Sequence, residues 1–279
     1  MLNPQKGEIF CFDKPYAVTS FRIVSRVRGI LNRRLGTKNL RVGHAGTLDP
    51  LATGVLIVCT GSSTKQIDEL QAGVKEYIAT LKLGATTPSF DRETAEDATF
   101  PTAHITREQV EQTLQRFTGA IEQIPPQFSA VKVDGKRAFK LARKGEEVEL
   151  KPKLLVIDEI ELLDCQLQPS AEPQAAPPAV NIKQLDDEQL HQLKAQNALL
   201  AVMQEQRSYP SITIRIVCST GTYIRALARD IGQALGSGAY LTHLIRTRVG
   251  NFRLENALDP DLFEAFADQE GVAKADSNR

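Results

Sequence analysis

The chain has 279 residues, 42% of them hydrophobic, enough for one large domain or two small ones with a buried core. Its 34 basic residues balance 34 acidic ones. No apolar run approaches the roughly 20 residues that cross a bilayer, and MLNPQKGEIF lacks the apolar stretch of a secretory signal, so neither a membrane protein nor an exported one is expected. Cys11, Cys59, Cys165 and Cys218 are far apart, form no C-x-x-C pair and lie in or beside apolar runs. They read as buried thiols in a reducing cytoplasm, with no zinc site indicated.

The zero net charge hides a polarised distribution. Residues 1–65 hold 10 Lys/Arg against 3 Asp/Glu, KVDGKRAFKLARK at 132–144 holds six basic groups against Asp134, and residues 211–253 hold six Arg against Asp230. Acid collects at 66–100 and 254–279. Brought together, the basic segments would form a polyanion-binding face; dispersed, they are solvated helix surfaces.

In chain order, EIFCF reads as a short strand, followed by the turn-like DKPYAVTS and a helix with Ser20 as its cap. Phe21, Val24, Val27 and Leu31 fall on one face of this helix, and Arg22, Arg26, Arg33 and Arg34 point elsewhere. A glycine-bearing loop, 41–54, leads into VLIVCTG, a continuous apolar strand, and residues 62–72 read as a helix. Residues 74–83 alternate, with Tyr77, Ala79, Leu81 and Leu83 on one face. The run GATTPSFDRETAEDATFPTAH predicts a long surface loop, and 106–118 a helix capped by Thr106. A proline pair, a D-G turn and a short basic helix follow, then strands at 154–167 and 212–219.

Between those two strands lies PSAEPQAAPP, an extended linker, and an amphipathic helix carrying Leu190, Leu193, Leu200 and Met203. This insertion, at about 166–210, is a private packing element or a partner site. Residues 222–235 predict another helix, YLTHLIRTRVGNF a helix then a strand, and LDPDLFEAF a short helix before a polar tail. Strands and helices interleave without a regular β-α-β rhythm, so the expected class is α+β with a mixed, largely antiparallel central sheet flanked by helices.

GHAGTLDPLATG, residues 43–54, concentrates chemistry between an Arg-rich segment and a buried strand. Its glycines permit tight bends, and Asp49-Pro50 fixes a turn that either presents a carboxylate or merely bonds nearby backbone. Here the residues resemble the TruB-type tRNA pseudouridine synthases. The resemblance continues in order through DKPYAVTS, KEYIATLKLG, IPPQFSAVKVDGKRAFKLARKG, STGTYIRALARDIG and HLIRTRVGNF, across about residues 8–253.

That resemblance implies isomerisation of uridine 55 in the tRNA T-loop on a pseudouridine synthase fold, with no metal or organic cofactor. It implies Asp49 as the carboxylate that attacks C1′ or takes a proton at C2′, Arg225 as its cationic companion and Tyr77 as the ring against the detached uracil. His44 would fill the space the flipped base leaves, Tyr223 and Leu244 would line the uracil pocket, and Lys14 and Pro15 would support the catalytic loop. Lys136, Arg137, Lys140 and Arg143 would belong to a clamp on RNA phosphates. The catalytic domain is expected over 1–253, with 254–279 a short helix and tail instead of the RNA-binding PUA module that many relatives carry. Ala17 stands where relatives commonly carry glycine. A monomer that needs no protein partner is expected. The other readings are a non-catalytic RNA-binding protein or tRNA chaperone on the same fold, and a hydrolase that releases the base.

Overall fold

The computed structural model describes residues 1–129, 131–133, 135–142, 144–146, 148–168 and 209–273. The proline-rich linker and the amphipathic helix expected near 166–210 fall almost wholly outside the described residues, as does Arg143. Two compact units contain the rest: 1–75 with 245–273, and 76–168 with 209–244.

In the first unit β1 (Ile9–Lys14) runs antiparallel to β3 (Thr53–Thr60), from Ile9 opposite Cys59 to Lys14 opposite Gly54. The continuous apolar run of β3 is buried at all but its first residue, as a strand covered on both faces must be. The segment expected to be loop from residue 41 begins instead as a strand, β2 (Val42–His44), with His44 opposite Val58. The end of β12 (Ala239–Val249) lies parallel to β3 and pairs through Ile245 and Arg246 with Thr53 and Gly54. β13 (Phe252–Arg253) turns back antiparallel to β12. After β3 a 3-10 turn (Gly61–Gln66) passes into α2 (Ile67–Ala72), so the helix expected at 62–72 is split.

Helix α1 (Ser20–Leu35) is capped by Thr19, whose hydroxyl accepts from the Arg22 amide at 3.2 Å, and closes on Gly36 at φ 66°. Ser20, expected as the cap, is the first helical residue. Its apolar stripe is Ile23, Val24, Val27, Ile30, Leu31 and Leu35, and Phe21, expected on that face, is 65% exposed. The stripe packs on Phe10, Phe12 and α6 (Phe263–Glu270); Phe263 meets the two phenylalanine rings edge-on at 5.1 and 5.2 Å. The basic face of α1 is partly neutralised rather than free for a polyanion: Arg26 pairs with Asp261, Arg33 with Glu264 and Arg34 with Glu264 and Asp268. Leu2 meets the segment after α6, donating to Gly271 O and accepting from the Ala273 amide, both at 2.8 Å.

In the second unit the strand order is β12, β4 (Lys75–Leu83), β11 (Ser211–Cys218), β10 (Lys153–Gln166) and β7 (Gly119–Gln123). β10 is antiparallel to both of its neighbours. The alternation of β4 is as expected, with Tyr77, Ala79, Leu81 and Leu83 buried. Helix α3 (Arg107–Arg116) opens on a capping box between Thr106 and Gln109, and packs on β10 and on α5 (Ile224–Ala234).

Three further expectations are corrected. Residues 239–249 form one strand, not helix then strand: Tyr240, Thr242, Ile245, Thr247 and Val249 favour extended backbone over a short helical periodicity. The run after Gly84 is not wholly a surface loop, since it pairs β5 (Ala85–Thr86) with β6 (Ala98–Thr99) and buries Thr87, Ser89 and Asp91. Cys59 and Cys218 are buried, but Cys11 and Cys165 are only half-buried. A small hairpin, β8 (Lys132–Val133) with β9 (Lys136–Arg137), leads into α4 (Ala138–Ala142). The architecture is α+β, mixed and largely antiparallel.

Candidate active site

In the first unit the loop that carries Asp49 is held by two buried cations and a serine. Lys14, fully buried at the end of β1, donates from Nζ to Val18 O at 2.7 Å, Pro15 O at 2.9 Å and Pro50 O at 3.2 Å. Arg246, 1% exposed on β12, donates from Nε to Val55 O at 2.8 Å, and from its two other nitrogens to Gly46 O at 3.2 Å and Thr47 O at 3.4 Å. The Ser20 hydroxyl donates to Leu48 O and accepts from the Leu48 amide, both at 2.9 Å. A 3.1 Å bond from the Ala52 amide to Asp49 O closes the turn. Gly46, at φ 93°, and Gly54, at φ 101°, supply left-handed conformations that L side chains avoid.

The electrostatics follow from this arrangement. Burial lowers the Lys14 ammonium to about 8, the Asp49 and Asp13 charges act in the opposite sense, and Arg246 reinforces the lowering. Asp49 therefore sits within electrostatic reach of a buried ammonium, in a half-buried position of its own. Burial, and then the Arg246 charge, hold the His44 imidazole below its ordinary value, so the ring is neutral near pH 7. Its Nδ1 is buried without a hydrogen-bond partner among the described residues. A carboxylate on a backbone fixed by charged donors is a group that can act as nucleophile or general base.

The second unit holds the other expected residues. Arg225, 5% exposed at the start of α5, donates to Phe128 O at 2.9 Å and Ser89 O at 3.2 Å, and its Nε lies 3.6 Å from Asp91 Oδ2. The other oxygen of Asp91 accepts from the Ser89 hydroxyl at 2.6 Å and the Glu93 amide at 2.9 Å. Phe90, between them, adopts φ 60°, a strained value for a bulky residue, with the Arg229 guanidinium 5.0 Å from its ring centre. Tyr77 is 6% exposed on β4, and Leu244 is half-buried on β12. The Gln123 side chain brackets the Tyr223 backbone, accepting from its amide at 2.9 Å and donating to its carbonyl at 3.2 Å.

Lys136, Arg137 and Lys140 are exposed on the β9–α4 segment. The arginines of 211–253 are less available than their count suggests. Arg215 pairs with Glu76, Glu159 and Glu161, Arg229 pairs with Asp230, and Arg225 and Arg246 are buried. Among the described residues no cluster of His, Cys, Asp and Glu has the geometry to hold a metal ion, and no helix is long and apolar enough to cross a membrane. The expected residues thus divide: Lys14, His44 and Asp49 belong to the first unit, and Tyr77, Tyr223, Arg225 and Leu244 to the second.

Four residues with evident roles escaped the sequence reading: Ser20 as a clamp on Leu48, Asp91, Gln123 and Arg246. Arg246 left a signal, a charge inside an apolar strand. Asp91 left none, because one aspartate in an acidic, aperiodic run looks like its neighbours.

Comparison with known proteins shows what the chain is similar to. Residues 32–184 match the TruB family pseudouridylate synthase N-terminal domain, and 225–274 match the tRNA pseudouridylate synthase B C-terminal domain. The chain is 56% identical over 277 residues to a tRNA pseudouridine synthase B of Bacteroides thetaiotaomicron, covering 99% of this chain and 100% of the relative. It is 41% identical over 250 residues to one of Thermus thermophilus, covering 90% of this chain and 75% of the relative. Among solved structures it is similar in fold to a chain in the crystal structure of a Cbf5-Nop10-Gar1 complex, with a TM-score of 0.60 and 24% identity over 97% of this chain and 58% of that one.

Proposed function

The chain belongs to the TruB family of pseudouridylate synthases, and from that premise we propose that it converts uridine 55 of the tRNA T-loop to pseudouridine. The relatives named tRNA pseudouridine synthase B support tRNA as the substrate. The observation that carries the reading is the setting of Asp49. Its loop is tied through Lys14, Ser20 and Arg246, and a buried ammonium lies within its field.

The reaction breaks the bond from uracil N1 to ribose C1′ and forms a bond from uracil C5 to the same carbon; C5 finally loses its proton and N1 takes one up, so the product is an isomer of the substrate. No atom is added and no electrons are transferred. Asp49 is the group that acts on the ribose, either as nucleophile at C1′ or as base at C2′. A carboxylate in this role acts beside polyanionic RNA, and the buried Lys14 ammonium supplies a positive charge within its reach. Reaching the ribose requires the uridine to leave its stack, and the neutral ring of His44 is suited to occupy the vacated space. Tyr77 supports the detached uracil, Tyr223 and Leu244 line its pocket, and Arg225 balances charge. Residues 1–253 supply the catalytic part, and Lys136, Arg137, Lys140 and Arg143 hold RNA phosphates.

The test is tritium release from an unmodified tRNA transcript labelled at uridine C5, run beside Asp49→Asn. Release by the wild type, mapped to the T-loop uridine and abolished in the variant while tRNA binding persists, supports the reading. Binding without release by the wild type leaves an RNA-binding protein, and free uracil leaves a hydrolase.

A further inference from the structure

Two large apolar rings stand in solvent on the segment that supports the Asp49 loop. Tyr16 is 49% exposed and Phe21 is 65% exposed, although the next turns of α1 bury every other large aliphatic residue of its stripe. An exposed phenylalanine forgoes the transfer free energy that burial would supply, and what distinguishes these two rings from the other exposed apolar side chains is the backbone that carries them.

Neither ring sits on a loose loop. Tyr16 lies between Pro15 and Val18, whose carbonyls both accept from the Lys14 ammonium, the same group that binds Pro50 O beside Asp49. Ala17, at φ 60°, turns the chain between them. Phe21 follows Ser20, whose hydroxyl is bonded twice to Leu48, the residue before Asp49. Phe21 therefore follows a residue bonded directly to the Asp49 loop, and Tyr16 lies within a backbone turn tied to that loop through Lys14. Arg22, next to Phe21, is exposed and forms no ion pair among the described residues.

We propose that Tyr16 and Phe21 form a stacking surface for unpaired nucleobases of the RNA loop that flank the target uridine. This rests on the reading of the chain as an RNA uridine isomerase. The pairing of flat aromatic faces, carried on a braced backbone, with an exposed guanidinium is the chemistry that takes single-stranded bases beside a phosphate. It gives the enzyme grip on nucleotides other than the one it modifies, and it favours an RNA whose loop bases can leave their own stack.

The chain contains no tryptophan, so Phe21→Trp introduces a single reporter. Its emission should be quenched on titration with an unmodified T-arm RNA, and that of Leu262→Trp, at another exposed position, should not. Phe21→Ala and Tyr16→Ala should each weaken RNA binding about tenfold without altering its salt dependence, whereas Arg22→Ala should flatten that dependence. Phe21→Tyr should bind as the wild type and Phe21→Leu as Phe21→Ala. Absence of quenching in a Phe21→Trp protein that still isomerises RNA overturns the proposal, as does wild-type binding by Phe21→Leu, which would point to an apolar protein partner. Quenching in a protein that does not isomerise uridine would sink the enzymatic reading and leave the stacking surface standing.

Discussion

The Nζ of Lys14 lies 3.2 Å from the carbonyl oxygen of Pro50, which bonds a fully buried ammonium to the residue that follows Asp49. Burial of a charge without a surrounding shell of water is costly, and here the compensation is three carbonyls together with the charge of Asp49. The fold carries that cost to fix one turn.

The cost should be visible as a pH dependence. The native amine gives up its proton near about 8 and the unfolded one near 10.5. Between those values the unfolded chain binds more protons, so unfolding free energy rises with pH. Wild type should gain on Lys14→Met by up to about 3 kcal/mol from about pH 7 to about pH 11, the equivalent of the shift from 10.5 to about 8. Urea unfolding of both proteins across that range measures it, and a pH-independent difference contradicts it.

Arg246 donates along three directions, to Val55, Gly46 and Thr47, which a planar guanidinium can do and an ammonium on a flexible stem cannot. Arg246→Lys should therefore rescue little of what Arg246→Met loses. Both variants should lower single-turnover rate at saturating RNA by about tenfold or more, and Arg246→Met should cost about 3 kcal/mol in denaturant unfolding through carbonyls left without donors. Equal rates for Arg246→Lys and wild type would show that charge alone suffices.

At Gly54 both conformation and space forbid a side chain. The residue sits at φ 101°, and a Cβ there would lie 2.3 Å from Arg246 O, where β3 pairs with β12. Gly54→Ala should cost about 3 kcal/mol or more, read as a large fall in unfolding midpoint or in soluble yield. Gly36→Ala offers the comparison: the same left-handed requirement at φ 66° with open space around it, and a loss of only about 1 kcal/mol.

Neutralising Lys136, Arg137 and Lys140, all exposed on the β9–α4 segment, should weaken tRNA binding and flatten the slope of log affinity against log salt by about 0.7–0.9 for each phosphate that the protein no longer neutralises. Filter binding between about 50 and 200 mM salt reads both quantities. A uniform loss of affinity with the slope unchanged would remove these residues from the phosphate interface.

Most of the architecture was legible because it follows from local pattern. The continuous apolar β3, the alternation of β4 and the Thr106-capped α3 all have physical causes confined to a few neighbouring residues. What misled was competition between periodicities. YLTHLIRTRV supports either a short helix or a strand, and only its neighbours in the sheet decide. Ser20 looked like a cap because the sequence shows two adjacent hydroxyls, and the one nearer Leu48 was drawn inward to clamp it. Charge was least legible of all: segment totals counted arginines that the fold spends on Asp261, Glu264, Asp268 and Asp91. The candidate carboxylate was found through its motif, and its support by Arg246, nearly two hundred residues away, leaves no local trace.

The packing of Phe263 against Phe10 and Phe12 has a consequence for synthesis. The N-terminal strand leaves the ribosome about 250 residues before its aromatic partner, a delay of roughly 10–50 s at ordinary elongation rates. During that interval α1 and β1 expose the surface that α6 will cover, while the intervening unit has all of its own strands. The middle of the chain can therefore reach its native form first, and the beginning must wait for the end.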